Sequence, residues 1–432
     1  MTVPVRFGTD GIRGRASDEI TPDLAYRLGR AVAEVFSVPI YVGYDTRESS
    51  PTLAVAVLEG LGDGGASGIN LGYFTTPGVA VIAQQRGGAG IVVSASHNPY
   101  YDNGLKVLGV GGGKLDHATE AAVESAINVG EGPSSITYDA VEIDESAQHD
   151  YVKHLRKLAP VDLSSLSIVV DCANGAASHV AHELYESTGA ALLFIHDRPD
   201  GRNINVDSGS THVESLVAAV RDAHADLGLA FDGDADRLIA VDSEGTVRDG
   251  DDLMVLFALD RLERGVLGGG VVITSMSNLG LYRALDAAKV EIEETDVGDR
   301  NVLLALEKKS WILGGEQSGH VIFRDLAPTG DGLMTGLLLA ELIVRRGPLA
   351  ELAGGAWRRV PQELFSVSLE HFSDDVVQEI FNELLEVYGV DRKDVRLLVR
   401  PSGTEPLVRI MIEALNAEFV EVFSERLTSL YA

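Results

Sequence analysis

The chain has 432 residues, a length at which the usual size of a folded domain predicts three or four units. Its formal net charge of -30 argues against a nucleic-acid partner, because binding a polyphosphate backbone requires a concentrated basic surface. No stretch approaches the roughly 20 consecutive apolar residues of a membrane helix, and the opening residues lack the features of a secretory signal. We therefore expect a cytoplasmic protein with neither a membrane nor a nucleic-acid partner.

Two further features of the composition concern the environment of the protein. The single cysteine, Cys172, excludes an intramolecular disulfide and fits a reducing compartment. The chain has only eight lysines against 27 arginines, and this scarcity, joined to the acidic excess, resembles the surfaces of salt-adapted proteins. The composition thus leads to the hypothesis that the host is a halophile.

Short apolar runs that end in small and polar residues alternate with helical patterns along most of the chain. The predicted strands are 39–43, 90–93, 166–170, 227–231, 271–274 and 312–313. A helix is predicted to run from Pro22 to about Phe36, with Thr21 as its N-cap, and another over 213–225. This alternation is typical of α/β domains.

From Pro361 onward the order of the predicted elements changes to strand, helix, strand, strand, helix. These elements are 365–369, 374–388, 395–399, 407–413 and 417–430. We interpret them as a separate small α+β unit, and we place two further boundaries within 130–147 and 242–252. The expected domains are 1–145, 146–248, 249–360 and 361–432.

Three carboxylates at alternate positions, Asp232, Asp234 and Asp236, follow the predicted strand 227–231. In an extended segment alternate side chains share a face, so these three are expected to converge. A hard divalent cation, Mg²⁺ first, is the natural partner of such a group. A calcium loop of the EF-hand type is excluded, because Arg237 and Ser243 stand where it needs glycine and glutamate. A solvated acidic turn is the alternative.

A second polar segment, residues 94–106, also follows a predicted strand. Its Ser96 is a candidate nucleophile, and Lys106 could transfer a proton or steady a phosphoryl group. The Gly-x-Ser-x-Gly elbow of α/β hydrolases is absent. Taken alone, the segment is better interpreted as a structural polar loop.

Three more segments could bind a substrate. Arg400, Ser402, Gly403 and Thr404 lie between two strands of the last unit and offer an arginine, two hydroxyls and backbone amides to a phosphate, although a plain hairpin turn is the alternative. The segment 314–320 offers Glu316 and Ser318 to sugar hydroxyls, or is only a glycine-rich turn. Arg13 lies in the glycine-rich opening segment and could equally be a surface charge.

Taken together and in this order, these motifs resemble the α-D-phosphohexomutase family, and the resemblance extends from Gly8 to Arg409. It implies three similar α/β domains with mixed sheets and a small C-terminal α+β domain of TATA-binding-protein-like topology, in a heart-shaped molecule around a central cleft. The sequence motifs FGTDGIRG, SNLGL, GDR and GEQSGH are most like those of the phosphoglucosamine mutase branch. That branch implies an isomerase that interconverts glucosamine 6-phosphate and glucosamine 1-phosphate.

The resemblance also implies a role for each motif. It assigns the phosphoserine and the metal ligand from the serine loop to Ser96, and the remaining Mg²⁺ ligands to Asp232, Asp234 and Asp236. It assigns sugar binding to Glu316 and Ser318, and phosphate binding to Arg400, Ser402, Gly403 and Thr404. Arg13, Lys106 and Arg237 match positions around the reacting phosphate, with a sugar 1,6-bisphosphate as activator and intermediate. The general base is left between Lys106 first and His320 second, and a homodimer is left open.

Three alternatives to this interpretation stay open. The same chemistry could act on mannose or glucose phosphates, as in phosphomannomutases and phosphoglucomutases, or on a pentose phosphate. A non-catalytic phosphosugar-binding protein would show no turnover. A metal phosphatase would release inorganic phosphate in proportion to the sugar consumed.

Overall fold

The computed structural model describes residues 5–8, 10–130, 132–133, 136–137, 141–401 and 406–431. The chain divides into two compact units, which are described separately: one comprises Met1–Ser275 and Glu291–Gly355, the other Met276–Val290 and Ala356–Ala432. The larger unit contains three mixed sheets, and the smaller unit contains one antiparallel sheet. Among the described residues, we find no helix with the length and apolar character needed to cross a membrane.

The first sheet has five strands in the order β1-β5-β4-β2-β3, of which β2, β3 and β4 run parallel. The elements of this region are β1 (Ile12–Arg15), α1 (Pro22–Val35), β2 (Ile40–Tyr44), α2 (Ser50–Asp63), β3 (Gly68–Tyr73), α3 (Thr76–Arg86), β4 (Ala89–Val93), β5 (Asp102–Leu108), α4 (His117–Val129) and α5 (Ser146–Leu158). The predicted start of α1 is confirmed, since the Thr21 hydroxyl accepts a hydrogen bond from the Leu24 amide.

The second sheet has the order β10-β9-β8-β6-β7. Its region comprises β6 (Ser167–Asp171), α6 (Ala177–Glu186), β7 (Ala191–Ile195), α7 (Glu214–Ala223), β8 (Leu227–Phe231), β9 (Leu238–Asp242) and β10 (Val247–Arg248). All five residues of β8 are buried, because the strand lies in the middle of the sheet with both faces covered. This explains why an uninterrupted apolar run predicted it.

The third sheet has the order β12-β11-β13-β14. This part of the chain forms α8 (Gly250–Glu263), β11 (Val271–Thr274), α9 (Leu279–Ala287), β12 (Ile292–Thr295), α10 (Asp299–Lys309), β13 (Leu313–Gly315), β14 (Val321–Phe323), α11 (Gly332–Arg346) and α12 (Leu349–Ala356). Helix α9 belongs to the smaller compact unit, although it lies between β11 and β12 in the chain.

The remaining sheet, of three antiparallel strands, lies in the smaller unit with the order β15-β17-β16. The elements are β15 (Gln362–Ser368), α13 (Asp374–Tyr388), β16 (Val395–Pro401), β17 (Leu407–Ala414) and α14 (Ala417–Tyr431), in the order that the sequence predicted. Residues of these helices and strands form a hydrophobic core that includes Phe381, Phe419 and Phe423. The α/β class of the chain and its small α+β C-terminal part are therefore confirmed.

One predicted loop is wrong in part. The segment 94–106 is a loop only as far as Tyr101, because Asp102–Leu108 forms β5, which pairs with both β4 and β1. The turn-forming Asn103 and Gly104 mask this strand in the sequence. Its pairing with two neighbouring strands stabilises it nonetheless, and this places Lys106 on an inner strand of the sheet rather than in a loop.

Candidate active site

Three loops that the sequence singled out follow the carboxyl ends of β4, β8 and β13 in the larger unit. These are the serine loop (residues 94–101), the acidic loop (residues 232–237) and the glycine-rich loop (residues 316–320). In α/β folds this end of a strand is where ligands bind. Backbone hydrogen bonds connect the loops: the Leu238 amide, directly after the acidic loop, donates to the Gly319 carbonyl at 3.0 Å.

The serine loop places the Ser96 hydroxyl against the acidic loop. Ser96 is buried, and its Oγ donates a hydrogen bond to Asp232 Oδ2 at 2.5 Å. Its backbone is left-handed, with φ of 51°, which is uncommon for a residue other than glycine. Its amide donates to Ser94 Oγ at 2.9 Å. The predicted nucleophile and the predicted metal ligands therefore meet at hydrogen-bonding distance.

The three aspartates of the acidic loop do converge, but not for the predicted reason. Their ligand oxygens all lie within 4.8 Å of one another. The segment is a turn rather than an extended strand: Ala235 is left-handed with φ of 59°, and its amide donates to the Asp232 carbonyl. The turn folds the side chains of Asp232, Asp234 and Asp236 to one point, whereas simple alternation along a strand would have spread them.

The chemistry of this group fits a divalent cation. The Oδ1 atoms of Asp234 and Asp236 are buried and have no hydrogen-bond partner among the described residues. Burial, together with the charges of Asp236 and Asp234, raises the pKa of Asp232 well above its usual range. A cation bound among these oxygens would neutralise the repulsion and stabilise the ionised forms. The donor set, three carboxylates and a hydroxyl, is the all-oxygen type that Mg²⁺ prefers.

Lys106 provides the positive charge nearest to the aspartates. Its ammonium nitrogen lies 2.8 Å from Asp234 Oδ2 and 2.7 Å from Asp10 Oδ2. Burial lowers the pKa of Lys106, but the facing carboxylates of Asp10, Asp234 and Asp236 raise it above its ordinary value. Lys106 is therefore protonated here, and it can donate a proton or hold an anion but cannot accept a proton until it has released one.

His320, the second candidate for the general base, is also protonated near neutral pH. Its Nδ1 lies 3.6 Å from Asp236 Oδ1. Burial lowers its pKa, whereas the negative charge of the nearby Asp236 carboxylate raises the pKa of His320 to about 9. Neither residue named as a proton acceptor is thus ready to accept one in this arrangement.

Sequence reasoning missed His97, the neighbour of the nucleophile. Its Nδ1 lies 3.3 Å from Ser96 Oγ. Burial and the charges of Arg237 and Arg13 lower the pKa of His97 to about 4, so the ring is neutral near pH 7. The sequence contained the signal, since His97 directly follows Ser96, but adjacency in the chain does not reveal the direction of a side chain.

Two arginines named from the sequence lie close to the acidic group. Arg13, on β1, forms an ion pair with Asp10, and Arg237 Nε lies 3.8 Å from Asp236 Oδ1. The Nε atoms of both arginines are buried, with no hydrogen-bond partner among the described residues. These unpaired donors can bind an anion such as a phosphoryl group.

Asp10 and Lys114 form a second network missed from the sequence. Asp10 forms ion pairs with Lys106 and with Lys114, each with 2.7 Å between the ammonium nitrogen and a carboxylate oxygen. The Lys114 nitrogen also lies 2.7 Å from a carboxylate oxygen of Asp299, at the start of α10. Arg300 pairs with Glu120 on α4 at 2.5 Å. These contacts connect the first and third sheet regions beside a small pocket that Lys106 also lines.

The glycine-rich loop presents its two predicted sugar ligands differently. Glu316 is buried, and its Oε1 accepts a hydrogen bond from the Gly298 amide at 2.9 Å. Burial lowers the pKa of Arg237, but the negative charges of Asp236 and Asp232, together with that of Glu316, raise it above its ordinary value. Ser318 is exposed. Of the two, Glu316 is buried and held by a hydrogen bond, whereas Ser318 lies at the surface.

The predicted phosphate loop belongs to the smaller unit. Arg400 is half-buried on β16, and its Nε has no hydrogen-bond partner among the described residues. Ser402, Gly403 and Thr404 lie outside the residues that the structure describes. Their predicted role in phosphate binding therefore stays a prediction.

Models of one protein family match the chain in four consecutive segments. They are described as phosphoglucomutase/phosphomannomutase alpha/beta/alpha domain I (residues 4–132), domain II (149–245), domain III (249–360) and C-terminal domain (367–428). The chain belongs to the phosphoglucomutase/phosphomannomutase family. The membership that the motifs indicated is thereby confirmed, and the matched segments of the family cover most of the chain.

Relatives named phosphoglucosamine mutase match this family member over nearly its full length. The one from Moorella thermoacetica is 43% identical over 431 residues, 96% of each chain. The one from Pelotomaculum thermopropionicum is 45% identical, covering 95% of each chain, and the one from Mycolicibacterium paratuberculosis is 41% identical, covering 97% of each. Within the mutase family, the sequence is therefore similar to the phosphoglucosamine mutases.

Solved structures of family members share the fold at low identity. A phosphoglucomutase/phosphomannomutase family protein from Burkholderia thailandensis has a TM-score of 0.81 at 24% identity, covering 100% of this chain and 97% of that one. The N-acetylphosphoglucosamine mutase of Aspergillus fumigatus, in complex with GlcNAc-6P and magnesium, has a TM-score of 0.65 at 18% identity, covering 98% and 95%. At this identity the likeness supports the mutase fold alone.

Proposed function

We propose that this chain is a phosphoglucosamine mutase, an isomerase that interconverts glucosamine 6-phosphate and glucosamine 1-phosphate. The observation that carries the proposal is the hydrogen bond of 2.5 Å from Ser96 Oγ to Asp232, which joins a candidate nucleophile to three converging carboxylates. The identity of 41–45% to full-length relatives named phosphoglucosamine mutase supports glucosamine as the sugar.

A phosphoserine at Ser96 is the group that we propose to be transferred. The O1 hydroxyl of glucosamine 6-phosphate attacks the phosphorus atom of the phosphoserine. The bond from phosphorus to Ser96 Oγ breaks as the bond to O1 forms, O1 gives up its proton, and the leaving Ser96 Oγ takes up one to become a hydroxyl. The resulting 1,6-bisphosphate turns around, and the Ser96 hydroxyl then attacks the 6-phosphate and gives up its proton. Sugar O6 leaves with a proton, glucosamine 1-phosphate departs, and the phosphoserine is restored, so that no phosphate is consumed.

Asp232, Asp234 and Asp236, with Ser96, are the residues that we propose to hold Mg²⁺. When bound, the cation supplies positive charge to the phosphoryl oxygens. Arg237 and Arg13 offer unpaired buried donors to the same group. Lys106, fixed between Asp10 and Asp234, holds its proton close to the place where the leaving oxygen needs one. Because these charges are fixed before the reaction, they stabilise the transferring group without rearrangement.

We propose the remaining site residues as substrate ligands. Glu316, buried beside Gly298, accepts hydrogen bonds from sugar hydroxyls, and the exposed Ser318 donates a hydrogen bond to one of them. Arg400, with Ser402, Gly403 and Thr404, binds the phosphate that is held rather than transferred. We place the four domains at 1–145, 146–248, 249–360 and 361–432, so that each of these loops comes from a different domain.

The first experiment follows the phosphate on Ser96. Intact-mass spectrometry after incubation with a hexose 1,6-bisphosphate and Mg²⁺ should show one added phosphoryl group on the wild type and none on Ser96→Ala. Mutase turnover should be abolished in that variant, because alanine has no side-chain oxygen at this position to carry the group. Ser187→Ala is the matched control, since its hydroxyl only caps a carbonyl at the end of α6. Near-normal turnover by Ser96→Ala would overturn the proposal.

The same assay identifies the substrate. Rates on glucosamine 6-phosphate should exceed those on mannose, glucose and pentose phosphates, and a reversed order would identify one of the related mutase activities instead. Release of inorganic phosphate in proportion to the sugar consumed would indicate a phosphatase. Binding of the sugar phosphate without turnover would indicate a non-catalytic protein.

A further inference from the structure

Arg47, three residues after the end of β2, is a completely buried arginine whose hydrogen bonds to the serine loop all go to backbone oxygens. Its Nη2 donates to the carbonyls of Ser96 and Asn98, at 3.1 and 2.6 Å, and its Nε donates to the carbonyl of Asp102 at 2.9 Å. Arg47 is fully inaccessible to solvent. One guanidinium therefore binds the carbonyl of the candidate nucleophile and two carbonyls that follow it in the chain.

The charge of Arg47 is balanced by Asp45, which is also completely buried. Arg47 Nη1 donates to Asp45 Oδ2 at 3.0 Å, and the Ser94 hydroxyl donates to the same oxygen at 2.6 Å. Ser94 Oγ in turn accepts the hydrogen bond of the Ser96 amide at 2.9 Å. The amide and the carbonyl of Ser96 are thus both anchored to one buried ion pair, the amide through Ser94 and the carbonyl directly.

Asn205 holds the same two carbonyls from the second sheet region. It lies between β7 and α7, and its Nδ2 donates to the carbonyls of Ser96 and Asn98, at 2.9 and 3.1 Å. Asn205 is itself left-handed, with φ of 59°. Two side chains from different parts of the chain therefore converge on the same pair of oxygens.

This double anchoring has a use in the reaction. Ser96 has a left-handed backbone that is sparsely populated for serine, so other contacts must hold it. In the proposed cycle its side chain alternates between a hydroxyl and a phosphate ester that carries negative charge. A loop held only by its side-chain contacts to the acidic group would move each time that charge changes. Backbone anchors do not depend on the state of the side chain.

We infer that Arg47 and Asn205 are positioning residues that keep Ser96 Oγ aimed at the acidic loop through both half-reactions, an inference that rests on the proposed mutase function. Neither side chain needs to touch the substrate. Their loss should therefore lower kcat with little effect on KM, because sugar binding depends on other residues. A misplacement of the reacting oxygen by about 1 Å costs on the order of 100-fold in rate.

Three variants test this inference. Asn205→Gly removes both amide donors while keeping the left-handed backbone without strain. Asn205→Asp keeps the size of the side chain but turns a carboxylate toward the two carbonyls. Arg47→Lys keeps the charge but lacks the planar fork that reaches three oxygens. Arg202→Lys is the control, because Arg202 is exposed in the same segment as Asn205 and pairs with Glu48, next to Arg47.

We expect kcat to fall about 10- to 100-fold in Asn205→Gly and at least as far in Asn205→Asp, with KM within about threefold. In single turnover, transfer from the phosphoserine to sugar should slow while its loss to water does not. Arg202→Lys should match the wild type. If Arg47→Lys does not fold, the two Asn205 variants decide the matter.

Two outcomes would overturn the inference. The first is a folded Asn205→Gly protein with unchanged kcat. The second is an Asn205→Gly protein whose fall in kcat is fully explained by the smaller fraction of folded protein seen in a thermal melt. A purely structural role would produce the second pattern. Absence of mutase turnover in the wild type would count against the proposed function instead, so the two failures are distinguishable.

Discussion

At the scale of single residues, the sequence gives the type of each side chain, but burial and neighbouring charges decide its protonation state. Lys106 and Asp331 are both fully buried, yet Lys106 retains its charge because carboxylates face it, whereas Asp331 faces a tyrosine hydroxyl. Neither environment can be read from the residues adjacent in the chain. The sequence therefore named Lys106 as a candidate base, whereas the structure shows a protonated ammonium group held between carboxylates.

The buried carboxyl of Asp331 predicts a dependence of stability on pH. Burial raises its pKa from 3.8 to about 6, although hydrogen bonds from the Met334 amide and Tyr151 oppose this. Between about pH 4 and pH 6 the unfolded chain releases a proton that the native protein keeps, so stability falls as the pH rises. The full destabilisation, about 3 kcal/mol, is present above pH 6.

Asp331→Asn tests this, because asparagine still caps α11 and accepts from Tyr151 but does not titrate. Relative to the wild type, the free energy of unfolding of the variant should rise by up to about 3 kcal/mol from pH 4 to pH 7, measured by urea unfolding. Asp222→Asn, exposed on α7, is the control. A difference that does not change with pH would contradict the prediction.

At the scale of secondary-structure elements, the meeting of two loops depends on a glycine. A Cβ atom on Gly233 would lie 2.5 Å from the Ser96 carbonyl oxygen and 2.9 Å from Asn205 Nδ2. Only a residue without a side chain allows the acidic loop to approach the backbone of the serine loop this closely. Gly233, between two aspartates, is therefore needed for the close approach of the serine loop rather than for the conformation of its own turn.

Gly233→Ala should separate the two loops and lower kcat by about 100-fold, with a loss of stability of about 1–3 kcal/mol from overpacking. Steady-state kinetics and urea unfolding measure the two effects. Gly62→Ala on α2 is matched in chemistry, since no atom lies within 4 Å of its added Cβ, and it should retain full activity. Equal kinetics for the two variants would show that the close approach is unimportant.

The elements also differ in how visible they were in the sequence. Buried parallel strands such as β8 and amphipathic helices such as α13 were predicted from apolar spacing alone, because burial imposes that spacing directly. Strands β1 and β5 were missed, because glycine and turn-forming residues occupy them and their pairing partners come from elsewhere in the chain.

At the scale of the whole molecule, the dominant property is the net charge of -30. Like charges on a folded surface repel, and salt screens them: the Debye length falls from about 30 Å at 0.01 M to about 3 Å at 1 M. Tm should therefore rise by several degrees over this range of NaCl in a thermal melt. Sucrose as a non-ionic cosolute is the control, and a Tm that is constant or falls with salt, together with full activity in low-salt buffer, would oppose salt adaptation.

By itself, the sequence determined the α/β class, the order of the C-terminal elements, the mutase family and the residue types of the candidate site. Apolar periodicity and short motifs are local properties of the chain. They can therefore be recognised without knowing which residues each segment contacts in the folded protein. Only the tertiary structure decided that the acidic segment is a turn, that the Lys106 ammonium group lies between Asp10 and Asp234, and that Arg47 and Asn205 anchor Ser96. These depend on which distant backbone and charges meet, because hydrogen bonds and pKa values are set by contacts between residues far apart in the chain.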